Sequence, residues 1–129
     1  MILVDTSAWV EFLRRTGSEQ HLRVRELVSG SGAATTDVVV LEVLAGARDE
    51  LDRRELAGLL GGCQMLAVTG PTDYEDAADL YRRCRRGGET IRKLTDCLIA
   101  VVAIDAGAAV LHRDADFDAI ARHSALQLT

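Results

Sequence analysis

Four acids in this chain stand where a solvated carboxylate would not. Asp5 follows Ile2-Leu3-Val4 with no polar spacer. Glu42 is the only charge between Asp37 and Arg48, inside an almost wholly apolar segment. Asp96 heads the uncharged run Cys97-Leu98-Ile99-Ala100-Val101-Val102-Ala103-Ile104. Asp114 lies just past Ala109-Val110-Leu111, with Asp116 two residues on. A carboxylate taken out of water must be hydrogen-bonded, paired or bound to a cation. If these acids converge within a few Å, they cannot all stay ionised without a cation among them. Oxygen ligands with no His or Cys select Mg²⁺ or Mn²⁺. Such ions keep several waters and bind phosphate oxygens. Two of them roughly 4 Å apart would activate a water and stabilise the leaving oxygen of an in-line phosphodiester cleavage.

Taken singly, each acid has an ordinary structural role open to it. Asp5-Thr6-Ser7 is good N-cap chemistry. Glu42 could pair with Arg48, Asp96 could cap its own helix, and Asp114 could cap the last one. Only their joint placement separates the two readings, and that depends on the elements around them.

Residues 1–4 read as a buried strand, being a short apolar run. A helix follows from residue 7 to about 15, and Ser18 caps a second through residue 28. Residues 33–36 are a short strand. Asp37 opens a third helix, preferred over a strand because Leu41, Leu44 and Ala45 continue with helical spacing. A fourth runs from about 49 to 60, and residues 64–68 read as a strand. Thr72-Asp73-Tyr74-Glu75 has the spacing of a capping box and starts a helix to about residue 86. Thr95-Asp96 opens the most hydrophobic helix, with Gly107 as its stop. Residues 109–112 form a strand, a short helix follows Asp114, and residues 126–128 are an edge strand. Strands separated by one or two helices imply an α/β fold with parallel pairing and helices on both faces. In such a sheet, ligands bind beyond the carboxyl ends of the strands. Asp5 and Asp114 would share that edge. The place of Asp96 depends on where its helix begins.

Composition narrows the function classes. At 129 residues the chain suits one domain with a single core. No apolar run is long enough to span a bilayer, and no leader pattern opens the chain, so a soluble cytoplasmic protein is expected. Three widely spaced cysteines, Cys63, Cys84 and Cys97, argue against a disulfide framework or a zinc site. A net charge of −5 excludes a general polyanion binder. The cations are nearly all arginine, with Lys93 the only lysine.

Several of these residues together resemble the PIN-domain family, and most closely the VapC-type toxins of bacterial toxin–antitoxin modules. The likeness covers essentially the whole chain. It rests on the apolar run into Asp5-Thr6-Ser7, on Glu42 with Gly46, and on Gly88 and Ile91 ahead of Thr95-Asp96-Cys97-Leu98-Ile99-Ala100. His112-Arg113-Asp114-Ala115-Asp116-Phe117 completes the set. The resemblance implies a three-layer α/β/α sandwich with a central, mainly parallel sheet and a Mg²⁺-dependent endoribonuclease site, with Mn²⁺ as a substitute. It implies that Asp5 and Asp96 are the core metal ligands, with Glu42 and Asp114 completing the shell directly or through water. Asp116 matches a further acid, and the two-residue offset leaves Asp114 and Asp116 competing for the fourth position. Thr6, Ser7 and Thr95 would hold a carboxylate or a metal-bound water. The resemblance also implies a homodimer and a cognate VapB-type antitoxin whose C-terminal segment blocks the site.

Arg92, Lys93 and Arg113 lie nearest the acids in sequence and are the candidates for contacting RNA phosphates. The denser cluster Arg82-Arg83-Cys84-Arg85-Arg86 reads as a solvated helix end complementing the dipole. His21, His112 and His123 share no metal-ligand spacing. Three other functions compete. A receiver-type phosphoacceptor domain needs a lysine after a late strand, and Lys93 precedes Asp96. A catalytically silent PIN-like binding module would tolerate loss of an acid, and all four are present. A haloacid-dehalogenase-type phosphotransferase would need an Asp where Ser7 stands.

Overall fold

Ile2–Val4 forms β1 because its apolar side chains have helices to cover both faces, and Leu3 and Val4 are fully buried. The computed structural model describes residues 1–129. Its other strands are β2 (Ala33–Thr35), β3 (Gln64–Met65), β4 (Ala109–Leu111) and β5 (Gln127–Leu128). They make one sheet in the order β3-β2-β1-β4-β5, and every pairing is parallel. Seven helices connect them: α1 (Thr6–Leu13), α2 (Glu19–Ser29), α3 (Asp37–Ala45), α4 (Glu50–Gly61), α5 (Pro71–Arg86), α6 (Leu94–Ala106) and α7 (Ala115–Arg122). The parallel α/β sandwich expected from the alternation is present.

The chain builds outward from β1 to β2 and β3, then crosses back to lay β4 on the other side of β1. The carboxyl ends of β1 and β4 therefore flank a switch point, where an open α/β sheet leaves a crevice. A receiver-like sheet has the order 2-1-3-4-5. Here β4, not β3, lies beside β1, so the receiver-type reading is excluded on topology.

Local chemistry explains where the helices begin and end. Ser18 accepts from the His21 amide at the start of α2, as expected of a cap. α6 is buried without interruption from Asp96 to Ala103, and Gly107 ends it at φ 67°. Two expectations need correction. The helix expected to open on a capping box at Thr72 starts one residue earlier, with Pro71 at its first position. Proline's fixed φ and missing N–H suit that place. The Asp73 carboxylate instead reaches back to accept from the amide and hydroxyl of Thr69. The strand expected over residues 64–68 pairs only at Gln64 and Met65. Beyond it the Leu66 amide donates to the Thr35 carbonyl, and the Val68 amide to Asp37 Oδ2.

A helix apolar on nearly every side is normally buried, but α3 is only partly so. Val38, Val39 and Val43 are buried, but Leu41 is 68% exposed. One stripe of α3 is therefore apolar and open to solvent.

The turn between α5 and α6 is fixed from outside. Glu89 accepts from Arg122, and its Oε2 lies 2.8 Å from His123 Nε2. Ile91 is buried. Gly87 lies so close under the His123 ring that a Cβ there would sit 2.3 Å from the nearest ring carbon. Gly87→Ala is expected to push the ring off Glu89 and destabilise the protein by about 1–3 kcal/mol, as overpacking does. Urea unfolding measures this, and a wild-type midpoint would show that the turn yields freely.

Candidate metal centre

Five acids arrive at the carboxyl edge of the sheet from four directions. Asp5 follows β1 and is the N-cap of α1. Glu42 comes from α3, Asp96 from the first turn of α6, and Asp114 and Asp116 from the start of α7 after β4. Asp96 arrives here because α6 begins at Leu94, which makes Asp96 the first buried position of the helix. One oxygen from each of Asp96, Asp114 and Asp116 falls within 4.8 Å of the others.

Asp5 is 2% exposed and Asp96 1%. Asp5 Oδ2 caps α1 by accepting from the Ser7 amide at 2.9 Å and the Ser7 hydroxyl at 2.5 Å. Its Oδ1 is buried with no hydrogen-bond donor, and so are both oxygens of Asp96. The capping role of Asp5 is thus real but uses one oxygen only. Burial first, and then the neighbouring Asp5 carboxylate, push the Asp96 carboxyl from 3.8 up to about 7. Lys93 opposes that rise, while Asp114 and Glu42 add to it. Buried carboxylate oxygens without donors, in a set with no nitrogen or sulfur, fit a hard divalent cation.

The surrounding groups aim these acids. The Thr6 hydroxyl donates to Glu42 Oε1 at 2.9 Å, joining α1 to α3. Glu42 does not pair with Arg48, which binds Asp52 on α4. Ser7 Oγ also accepts from the Arg113 amide at 2.8 Å, tying the end of β1 to the end of β4. Thr95 hydrogen-bonds none of the acids. Asp114 Oδ1 accepts from the Asp116 amide and from Arg92 Nη2 at 2.9 Å. Asp116 Oδ2 accepts from the Arg92 amide and Nε. Asp114 and Asp116 therefore each keep one oxygen free of these bonds.

All three cations expected near phosphate are drawn to acids. Arg92 holds Asp114 and Asp116, Lys93 lies between Glu42 and Asp96, and Arg113 binds Glu11 at 2.8 Å. Nothing in the sequence marked Glu11 or Glu89 as anchors, since their partners Arg113 and Arg122 lie far along the chain. His112 is structural: Nδ1 accepts from the Asp114 amide and the ring packs on Phe117. Trp9 belongs to the core, edge-on to Phe12. At the end of α5, Arg82 pairs with Asp79, Arg83 reaches the His123 carbonyl and Arg85 covers Tyr81.

Ser7→Ala is expected to cost about 1.5–3 kcal/mol, the range for hydrogen bonds to a charged group. It also leaves Asp5 Oδ2 held by the residue-7 amide alone. Denaturant unfolding and the Mn²⁺ affinity of the folded variant check the two effects. No change in either would remove Ser7 from the site.

The PIN domain family model matches residues 2–123. Ribonuclease VapC11 of Mycobacterium tuberculosis (strain ATCC 25618 / H37Rv) is 48% identical over 129 residues, covering 98% of this chain and 96% of the relative. In structure, the chain is similar to one in VapBC2 from Rickettsia felis bound to a DNA fragment from its promoter. That match has a TM-score of 0.77 at 19% identity, covering 100% of this chain and 98% of the other. VapBC-1 from nontypeable Haemophilus influenzae matches with a TM-score of 0.75 at 18% identity, over 100% of this chain and 97% of the other. At these identities the two structures speak to the fold alone.

Proposed function

The chain belongs to the PIN domain family, and from that premise we propose that residues 1–129 form a single nuclease domain, a Mg²⁺-dependent endoribonuclease toxin silenced by a VapB-type antitoxin. The observation that carries this reading is the set of three buried carboxylate oxygens, one on Asp5 and two on Asp96, that no protein donor satisfies. They belong to the acids that the family resemblance marks as metal ligands. When bound, a divalent ion supplies an activated water and neutralises charge on the leaving oxygen.

Asp5 and Asp96 are the central ligands, with Glu42 and Asp114 completing the shell and Asp116 beside them. Thr6 orients Glu42, and Ser7 orients Asp5. Arg92 keeps Asp114 and Asp116 together and presents an exposed guanidinium at the rim. Lys93, between Glu42 and Asp96, and Arg113, held by Glu11, are the other two cations proposed to meet phosphate. Mg²⁺ suits the all-oxygen set, and Mn²⁺ substitutes for it.

The antitoxin reading has its own support. A groove of about 1100 Å³ runs from Thr6 and Glu42 past Val10, Leu13 and Leu56. A partner segment lying there would cover the edge of the acidic site. Leu41, Leu51 and Leu94 are each more than 60% exposed and add apolar surface for that partner or for a second copy in a homodimer. No helix is long and apolar enough to cross a membrane. Cys63, Cys84 and Cys97 are unpaired, which suits the cytoplasm.

The test is cleavage of a single-stranded RNA by the purified chain in Mg²⁺, in EDTA, and with the cognate antitoxin added. Cleavage in Mg²⁺ alone is the expected result. Equal cleavage in EDTA would sink the metal reading. Persistent cleavage with a bound antitoxin would sink the inhibition.

A further inference from the structure

Arg92 and Lys93 are consecutive, and they share out the acids. Arg92 takes Asp114 and Asp116 through its amide, Nε and Nη2, three hydrogen bonds that fix it in place. Lys93 takes the other side. Its Nζ lies 3.9 Å from Glu42 Oε2 and 3.9 Å from Asp96 Oδ1. Both distances are too long for a direct hydrogen bond, so the ammonium is held there as a point charge. Burial works against that charge, but the carboxylates of Asp96, Glu42, Asp5 and Asp114 together raise the pKa of Lys93 above its ordinary value. The side chain remains 50% exposed and leaves the backbone at the N-cap of α6, where it does no capping. Charge alone holds it, and a flexible four-carbon stem gives it a way out.

We propose that Lys93 is a resident counter-cation, seated between Glu42 and Asp96 in the metal-free protein and displaced toward solvent when a divalent ion takes those carboxylates. This rests on the reading of Glu42 and Asp96 as metal ligands. The ammonium and the ion compete for the same oxygens. With the ion bound, an ammonium within about 4 Å of its ligands is repelled by it. Lys93 thereby steadies the acids before the metal arrives and weakens metal binding by the same interaction. Arg92, bonded to oxygens of Asp114 and Asp116 that leave their partners free, has no such conflict.

Calorimetric titration of Mn²⁺ into the EDTA-stripped, dialysed protein tests this. The proteins compared are wild type, Lys93→Met, Asp96→Asn, and Arg54→Met as a charge control on the exposed face of α4. Lys93→Met is expected to bind Mn²⁺ on the order of tenfold tighter than wild type, because a positive charge is removed from beside the ligands. Its metal-free melting temperature is expected to fall by a few degrees. Arg54→Met should match wild type in Mn²⁺ affinity. Lys93→Gln gives the same comparison with a polar side chain if the Met variant aggregates. Mn²⁺ affinity in Lys93→Met at or below wild type, with Asp96→Asn still abolishing binding, overturns the counter-cation alone. If wild type binds no Mn²⁺, the metal reading falls and takes this inference with it.

Discussion

Asp96→Asn is expected to remove Mg²⁺-dependent RNA cleavage by roughly 10³-fold or more, the equivalent of about 4 kcal/mol of transition-state stabilisation. The folded protein should survive intact, and metal-free should melt no lower than wild type. The two halves of that result have one cause. Asp96 is 1% exposed, and neither of its oxygens has a hydrogen-bond donor. A charge in that position opposes folding unless a cation meets it. Lys93 meets it only in part, at 3.9 Å. Asparagine keeps the shape, drops the charge and loses most of its value as a ligand. A residue kept for packing or capping would behave otherwise. Its loss would lower the melting temperature and leave any activity of the folded fraction untouched. Cleavage of a single-stranded RNA oligonucleotide, alongside circular dichroism melts, separates the cases. Activity within tenfold of wild type in a folded Asp96→Asn protein would remove Asp96 from the catalytic machinery.

What could be read from the chain, and what could not, follows from how far each signal reaches. Asp5 and Asp114 were placed on one edge because each follows an apolar strand closely, and parallel pairing sends strand ends the same way. Asp96 was not placed, because a shift of one turn in the start of α6 decides whether it joins that edge. The start was set by Lys93 as N-cap, a residue type with no capping preference. Proline overrode the apparent capping box at Thr72, since a fixed φ outweighs a side-chain hydrogen bond available elsewhere. Long-range pairs were the least visible. That Lys93 is the only lysine was plain in the sequence, but its position between Glu42 and Asp96 depends on packing α3 beside α6. Leu41 shows the same limit in reverse. An apolar helix announces burial, but which stripe is left open depends on what the chain has available to cover it.

The acidic centre is also expected to make the stability of the EDTA-treated protein fall as pH rises from about 4 to about 7. Burial and the Asp5 carboxylate raise the folded-state pKa of Asp96 from 3.8 to about 7. Between those values the folded chain holds a proton that the unfolded chain has released. Stability therefore declines with pH across that window and flattens above it. Three pH units at 1.36 kcal/mol each give at most about 4 kcal/mol. The groups facing Asp96 are Asp5, Asp114, Glu42 and Lys93. Subtracting the profile of Asp96→Asn cancels ionisations elsewhere and isolates this one. A divalent ion opposes the trend, because it takes the deprotonated carboxylate. At a hundredfold excess over Kd it adds about 2.7 kcal/mol to wild type near pH 8, and progressively less below pH 7. Urea unfolding at pH 5 and pH 8, with EDTA and with Mn²⁺, measures both effects. Parallel pH profiles for wild type and Asp96→Asn in EDTA would mean that Asp96 takes up no proton on folding. The carboxylates would then already be satisfied within the protein, leaving no electrostatic reason for a metal ion to bind there.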